Sequence, residues 1–195
     1  MINKELTFQF KGERNYIQGP DIFDLSMNFL ADEYPSIVRT RYSAHKMLHS
    51  NADIIVTDER IKEYHSLISF ESNGDSRIAY IIGNNKSVKD RRIFDETKIW
   101  SGVKMSEDQI SRALMKEHSL SELAVSLMKK LCQETIDSQI KWIVTKIEFK
   151  NYNEVAESSY SIMTIKITSS HKGRLAKSLI ICDDKVIGQL LFSAI

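Results

Sequence analysis

The chain has 195 residues, 42% hydrophobic and 27% charged, with 27 basic against 26 acidic side chains. That content supports a packed core and argues against disorder, while a net charge of +1 leaves no whole-molecule field to draw in nucleic acid or an anionic membrane. No run approaches the roughly 18 apolar residues of a membrane helix, and the opening MINKELTFQFKGERN has no apolar stretch behind a basic start, so a cytoplasmic protein is expected. Cys132 and Cys182 are isolated thiols in apolar surroundings and read as core residues, not as a disulfide or zinc ligands.

In chain order, Leu6, Phe8 and Phe10 alternate with Thr7 and Gln9, the two-residue period of a half-buried strand ending at Gly12. A helix follows, with Pro20 at its first position and Asp21 and Asp24 in its first turn. Phe23, Met27, Leu30 and Tyr34 form its apolar stripe; Ile22, Leu25 and Phe29 widen the stripe enough to predict a mostly buried helix that Pro35 ends. Strands are expected over 37–42, 53–57, 65–71 and 77–83, the last two closed by the hairpin signal Asn73-Gly74. The basic stretch with Lys86, Lys89, Arg91 and Arg92 reads as a solvated connector, with a phosphate-binding patch as the alternative.

The second half is expected to open with a strand over 98–105. Ser106 with Gln109 then forms a capping-box pattern for a short helix toward 117. Ser119 with Glu122 repeats the pattern before Leu120, Leu123, Ala124, Leu127, Met128 and Leu131, one apolar face over three turns, with Lys129 and Lys130 placed in the last turn. Four strands are expected over 141–150, 158–168, 174–182 and 185–193. Connections as short as Asp183-Asp184 make them antiparallel neighbours. A helix followed by hairpin-closed strands thus occurs twice, which predicts two similar halves, 1–95 and 96–195, packed as a pseudo-dimer.

The closing stretch, with Val186, Gly188 and Leu190 in a V-x-G-x-L pattern, resembles the last strands of hot-dog acyl-thioester dehydratases and thioesterases. Together with the doubling, it resembles the double hot-dog arrangement of fatty-acid and polyketide pathways. The resemblance implies an α+β fold in which two antiparallel sheets each wrap a central helix. It also implies an enzyme acting on acyl-CoA or an acyl carrier protein, without cofactor or metal, and possible homo-oligomers. Hydrolysis or acyl transfer fits better than dehydration, because the loop before the first helix carries Gln18 beside Gly19-Pro20 and no histidine. A non-catalytic acyl-binding or assembly protein of the same fold is the alternative.

The resemblance sets the thioester carbonyl at the start of the central helix, where backbone N–H groups and the positive dipole end stabilise an oxyanion. There Asp21 or Asp24 is the candidate general base and Tyr16 or Gln18 the candidate donor to the carbonyl, while Gly19 allows close approach and His45 lines the site. The plain alternative makes the two aspartates helix-start residues and Tyr16 a packed aromatic. His45 and His49 would align as metal ligands only on a helix, and no acid completes a metalloprotease pattern, so no metal is expected. Glu117-His118-Ser119 reads as a cap preceded by a surface histidine, and His65 and His171 as ordinary exposed histidines. Phosphate-binding glycine loops and a serine-hydrolase elbow are missing from the sequence.

Overall fold

The computed structural model describes residues 1–157 and 159–195. It divides into two compact units, Met1–Phe94 with Asn151–Asn153 and Asp95–Lys150 with Glu154–Ile195.

The first unit contains β1 (Ile2–Leu6), β2 (Gln9–Lys11), α1 (Gly19–Glu33), β3 (Val38–Ala44), β4 (Ser50–Val56), β5 (Ser66–Ser72), β6 (Asp75–Ser87) and β7 (Asp90–Arg92). Five strands form an antiparallel sheet in the order β1-β4-β6-β5-β3, and β2 pairs with β7 in parallel. The single first strand expected up to Gly12 is therefore two strands. The break falls at Thr7 and Phe8, where the Phe8 N–H donates to Asn51 Oδ1 at 2.9 Å. The stretch expected to be a solvated connector lengthens β6 and supplies β7.

Helix α1 forms where the apolar stripe predicts it and buries Ile22, Phe23, Met27, Phe29 and Leu30. Phe23 meets the rings of Tyr42 and Tyr152 edge-on, with centroids 6.3 and 6.0 Å apart. Each such side chain contributes about 1.5–3 kcal/mol by leaving water. The helix stops at Tyr34, whose N–H donates to Leu30 O at 2.8 Å; Pro35 cannot extend it. Between β5 and β6, Asn73 and Gly74 take φ of 52° and 86°, the paired left-handed values of a two-residue hairpin turn.

The second unit contains α2 (Glu96–Trp100), β8 (Lys104–Met105), β9 (Gln109–Ala113), α3 (Leu120–Thr135), β10 (Trp142–Asn151), β11 (Ile162–His171), β12 (Leu175–Cys182) and β13 (Lys185–Ala194); α4 (Tyr152–Glu157) follows β10. Its antiparallel sheet runs β10-β13-β12-β11-β9-β8.

Three expectations are corrected here. Of the strand expected over 98–105, only its end, Lys104–Met105, forms, as β8; residues 98–100 belong to α2, because Asp95 Oδ1 accepts from the Thr97 N–H at 3.0 Å and caps a helical turn, and Gly102 at φ 75° reverses the chain. The helix expected from 106 is β9: Gln109–Ala113 pairs with β11 on one side and β8 on the other. Finally, β10 and β11 are not neighbours, since β10 returns to pair with β13. The expected start of β11 at Ser158 lies outside the described residues.

Helix α3 is capped as predicted, Ser119 Oγ accepting from the Glu122 N–H at 3.1 Å. It packs Leu123, Ala124, Leu127, Met128, Leu131 and Cys132 inward. It runs on to Thr135, so Lys129 and Lys130 precede its last turn and bind Glu96 and Glu134, each at 2.5 Å. Cys132 and Cys182 are buried free thiols, as expected, and burial pushes both up to about 12.

Candidate functional site

The loop before α1 is held by its own backbone. Ile17 N donates to Leu48 O at 2.8 Å, which lays residues 13–18 beside residues 45–49. His49 Nδ1 lies 2.7 Å from Asn15 O. Gln18 is the N-cap residue, with an extended backbone at φ −75° and ψ 147°, and its side chain makes no capping hydrogen bond. Its amide lies against Arg14 instead, and with the oxygen assigned to the side of the guanidinium, as the donors there require, it accepts from Nε at 2.7 Å and Nη1 at 3.0 Å. Gly19 and Pro20 begin the helix, and Pro20 has no N–H. The start of α1 thus presents backbone and a positive dipole end with no side-chain oxygen supplied by Gln18.

The two aspartates differ. Asp21 Oδ1 lies 2.6 Å from Lys11 Nζ and 3.4 Å from Arg92 Nη2. Lys11 is only 1% exposed, and its ammonium lies 4.9 Å from the centre of the Phe94 ring. Asp21 is thereby the counter-ion of a buried cation. Asp24, three residues on and half-buried, is near enough to Tyr152 for its charge to act on that hydroxyl. Burial, with the Asp24 charge adding to it, pushes the Tyr152 hydroxyl up to about 12.

The basic stretch is largely engaged. Lys86 Nζ meets Glu5 at 2.6 Å, Arg92 meets Asp21, and Arg91 donates to Gly12 O and, at 2.8 Å, to Arg14 O. These contacts tie β7 to the loop that precedes α1.

Of the residues singled out in the sequence, Tyr16 and Gln18 share this loop, and Gly19, Asp21 and Asp24 the helix that follows. His45 is exposed and engages Tyr64, with ring centroids 4.7 Å apart and Nε2 3.4 Å from the Tyr64 hydroxyl. The histidine that touches the loop is His49. The segment from His45 to His49 is not helical, so the four-residue spacing does not align the two rings. No group of three or more metal-ligating side chains occurs among the described residues.

His65 is not the ordinary exposed histidine expected. It is partly buried, and its Nδ1 accepts from the Gly83 N–H at 3.0 Å. Gly83 is what permits this, because a Cβ there would lie 2.9 Å from His65 Cε1, 3.0 Å from Ser50 Oγ and 3.2 Å from Leu48 Cδ1. The signal lay in the Asn73-Gly74 hairpin, whose register carries the chain from Ser66 opposite Ile81 to His65 beside Gly83.

The start of α3 is built otherwise. His118 Nδ1 lies 2.7 Å from Glu122 Oε2, with His118 15% and Glu122 6% exposed at the side chain. The predicted surface histidine is therefore a mostly buried partner of a buried carboxylate, the arrangement that orients an imidazole for proton transfer. Among the described residues, no helix is long and apolar enough to cross a membrane.

No family model and no curated protein matches the sequence. Solved structures match nearly all of it. A dehydratase domain of a trans-AT polyketide synthase from Brevibacillus brevis aligns at a TM-score of 0.54 and 9% identity, over 99% of this chain and 92% of that one. A protein called thioesterase II from Thermobifida fusca aligns at 0.53 and 8% identity, over 99% and 92%. The tesB protein of Mycobacterium avium subspecies paratuberculosis aligns at 0.50 and 8%, over 99% and 93%. At such identities the likeness is one of fold.

Proposed function

The chain has the double hot-dog fold, and on that premise we propose that it processes acyl-thioesters, carried on coenzyme A or an acyl carrier protein, by hydrolysis or acyl transfer. The observation that carries the reading is the start of α1, where Gln18 supplies no cap, Gly19 leaves the backbone approachable, and a half-buried carboxylate, Asp24, lies in the next turn. A thioester carbonyl at this helix start gains negative charge as water or an acyl acceptor attacks, and the helix terminus stabilises that charge. Lys11 and Arg92 hold Asp21, and proton handling is assigned to Asp24. Its carboxylate takes the proton of the attacking O–H as the new C–O bond forms, and returns it to sulfur as the C–S bond breaks. Tyr16 and Gln18 are the side chains that orient the carbonyl.

Free thiol released from a panel of acyl-thioesters tests this reading. Wild-type protein is expected to turn over at least one member, and Asp24→Asn to lower kcat by about a hundredfold or more without moving the thermal midpoint. His118→Gln belongs in the same assay, because the His118–Glu122 pair is the other proton-handling group beside a central helix. A collapse with that variant and not with Asp24→Asn would move the chemistry to α3. No release by wild type, with acyl ligand retained in native mass spectrometry, would favour the acyl-binding alternative; neither release nor retention would overturn both.

A further inference from the structure

The sheet of the second unit carries a surface depression of about 120 Å³, lined by Lys146, Glu148, Lys177, Gln189, Leu190 and Leu191. A cavity of about 150 Å³ holds a benzene ring, so an occupant of about six heavy atoms has the right size.

A β-bulge builds one wall of it. Val144 pairs with Phe192 and Lys146 with Leu191, which makes Thr145 the extra residue in β10; its hydroxyl donates to Leu191 O at 3.1 Å. Regular pairing would set Thr145 opposite Leu191 and turn Lys146 to the buried face. The bulge instead keeps Lys146 on the solvated face and sends Ile147 into the core beside Val144. From the other side of β13, Lys177 also pairs with Leu191. The two lysines thus flank one leucine in a single cross-strand row, with Cα atoms about 10 Å apart by strand spacing, and their flexible stems can bring both ammonium groups to one anion.

In the next row of the same face Glu148 pairs with Gln189, and Gln189 Nε2 donates to Glu148 Oε2, which gives that carboxylate a donor other than the two lysines. Neither Lys146 nor Lys177 forms an ion pair among the described residues. Two ammonium groups against one carboxylate leave the lining with a surplus positive charge, which suits a monoanion better than a doubly charged phosphate. Leu190 and Leu191 add an aliphatic floor that a phosphate cannot use.

We propose that this depression binds a short-chain carboxylate of about four carbons, its carboxylate held between Lys146 and Lys177 and its alkyl tail laid on Leu191. The site uses none of the residues assigned to thioester chemistry and is independent of that reading.

The test is a titration of the isotope-labelled full chain with sodium butyrate at constant ionic strength, following the Leu191 methyl and β13 amide resonances. Saturable shifts are expected at millimolar acid, and none with butanamide, the neutral analogue. Lys146→Gln and Lys177→Gln are each expected to weaken binding about threefold, the scale of a solvent-exposed charge contact, and the double variant to abolish saturation. Glu148→Gln removes the opposing charge and is expected to tighten binding about twofold. Lys172→Gln, in the turn between β11 and β12, controls for general attraction and should leave the affinity unchanged. Lys172 and Lys177 are exposed and Lys146 partly so, so these variants keep the fold, which the unshifted amides of the other strands verify. No saturable shift, butanamide binding as well as butyrate, an equal loss with Lys172→Gln, or inorganic phosphate binding more tightly than butyrate would each overturn the proposal.

Discussion

Asp21 shows how a residue can sit where chemistry is expected and be committed elsewhere. Its position in the first turn of α1 made it a candidate base, yet its partner is Lys11, a cation with 1% exposure. Removing one member of such a pair leaves a buried charge uncompensated. Asp21→Asn is therefore expected to lose about 3 kcal/mol of stability, read as a shift in the urea midpoint, and Lys11→Met in the same chain to recover part of it. A midpoint for Asp21→Asn within about 0.5 kcal/mol of wild type, the scatter of an inert surface change, would refute this assignment. Asp21 was legible as a first-turn acid but not as a counter-ion. Uninterrupted alternation from Leu6 would have turned Lys11 to solvent. The break at Thr7 and Phe8 resets which face each residue occupies, and a shift of one residue inverts a strand's faces.

At the level of elements, two strand glycines separate what a fold tolerates from what it forbids. At Gly188 in β13, an added Cβ would lie 2.2 Å from the Glu148 carbonyl oxygen of β10, a backbone atom locked in the ladder. Gly188→Ala is expected to cost about 3 kcal/mol or more, seen as loss of folded protein or a sharply lower melting point; a stable, soluble variant would contradict the close approach. At Gly83 the nearest atoms belong to side chains that can yield, so the same methyl should spare the fold. The V-x-G-x-L pattern was visible in the sequence, but the reason for its glycine is the partner strand. The same distinction explains which elements were legible. Helices α1 and α3 carry apolar stripes, and the Asn73-Gly74 and Asp183-Asp184 hairpins carry turn chemistry, all local signals. Strand β9 has one buried residue, Ile110, and exists because β8 and β11 flank it, so its capping-box pattern misled. Helix α2 had a readable start in Asp95 with Thr97 and a readable stop in Gly102, but its five residues are too few for a period to appear.

Across the whole molecule, the doubled pattern of helix and sheet was legible, while most strand partners were not. In the first unit only β5 and β6 are joined by a tight hairpin; the pairs β1 with β4 and β3 with β5 connect segments far apart in sequence. The least foreseeable feature is that Asn151–Asn153 belongs to the first unit, more than fifty residues beyond Phe94. The physical reason is local to Ile37, which is fully buried. Its N–H donates to Asn153 Oδ1 at 3.1 Å, its carbonyl accepts from Tyr152 N at 3.2 Å, and Asn153 Nδ2 donates to Pro35 O at 3.2 Å. The segment after α1 therefore has its backbone satisfied by residues that follow β10, and residues 1–94 alone lack those partners. Asn153→Ala leaves the Ile37 N–H without its acceptor, an omission that costs about 1–3 kcal/mol at a buried site. Asn153→Asp keeps an oxygen for Ile37 and should lose less, giving up only the bond to Pro35. Urea unfolding of the full chain should rank wild type above Asn153→Asp and Asn153→Ala lowest, with unchanged slopes. If alanine matched wild type, the strap would be decorative and residues 1–94 would be expected to fold unaided.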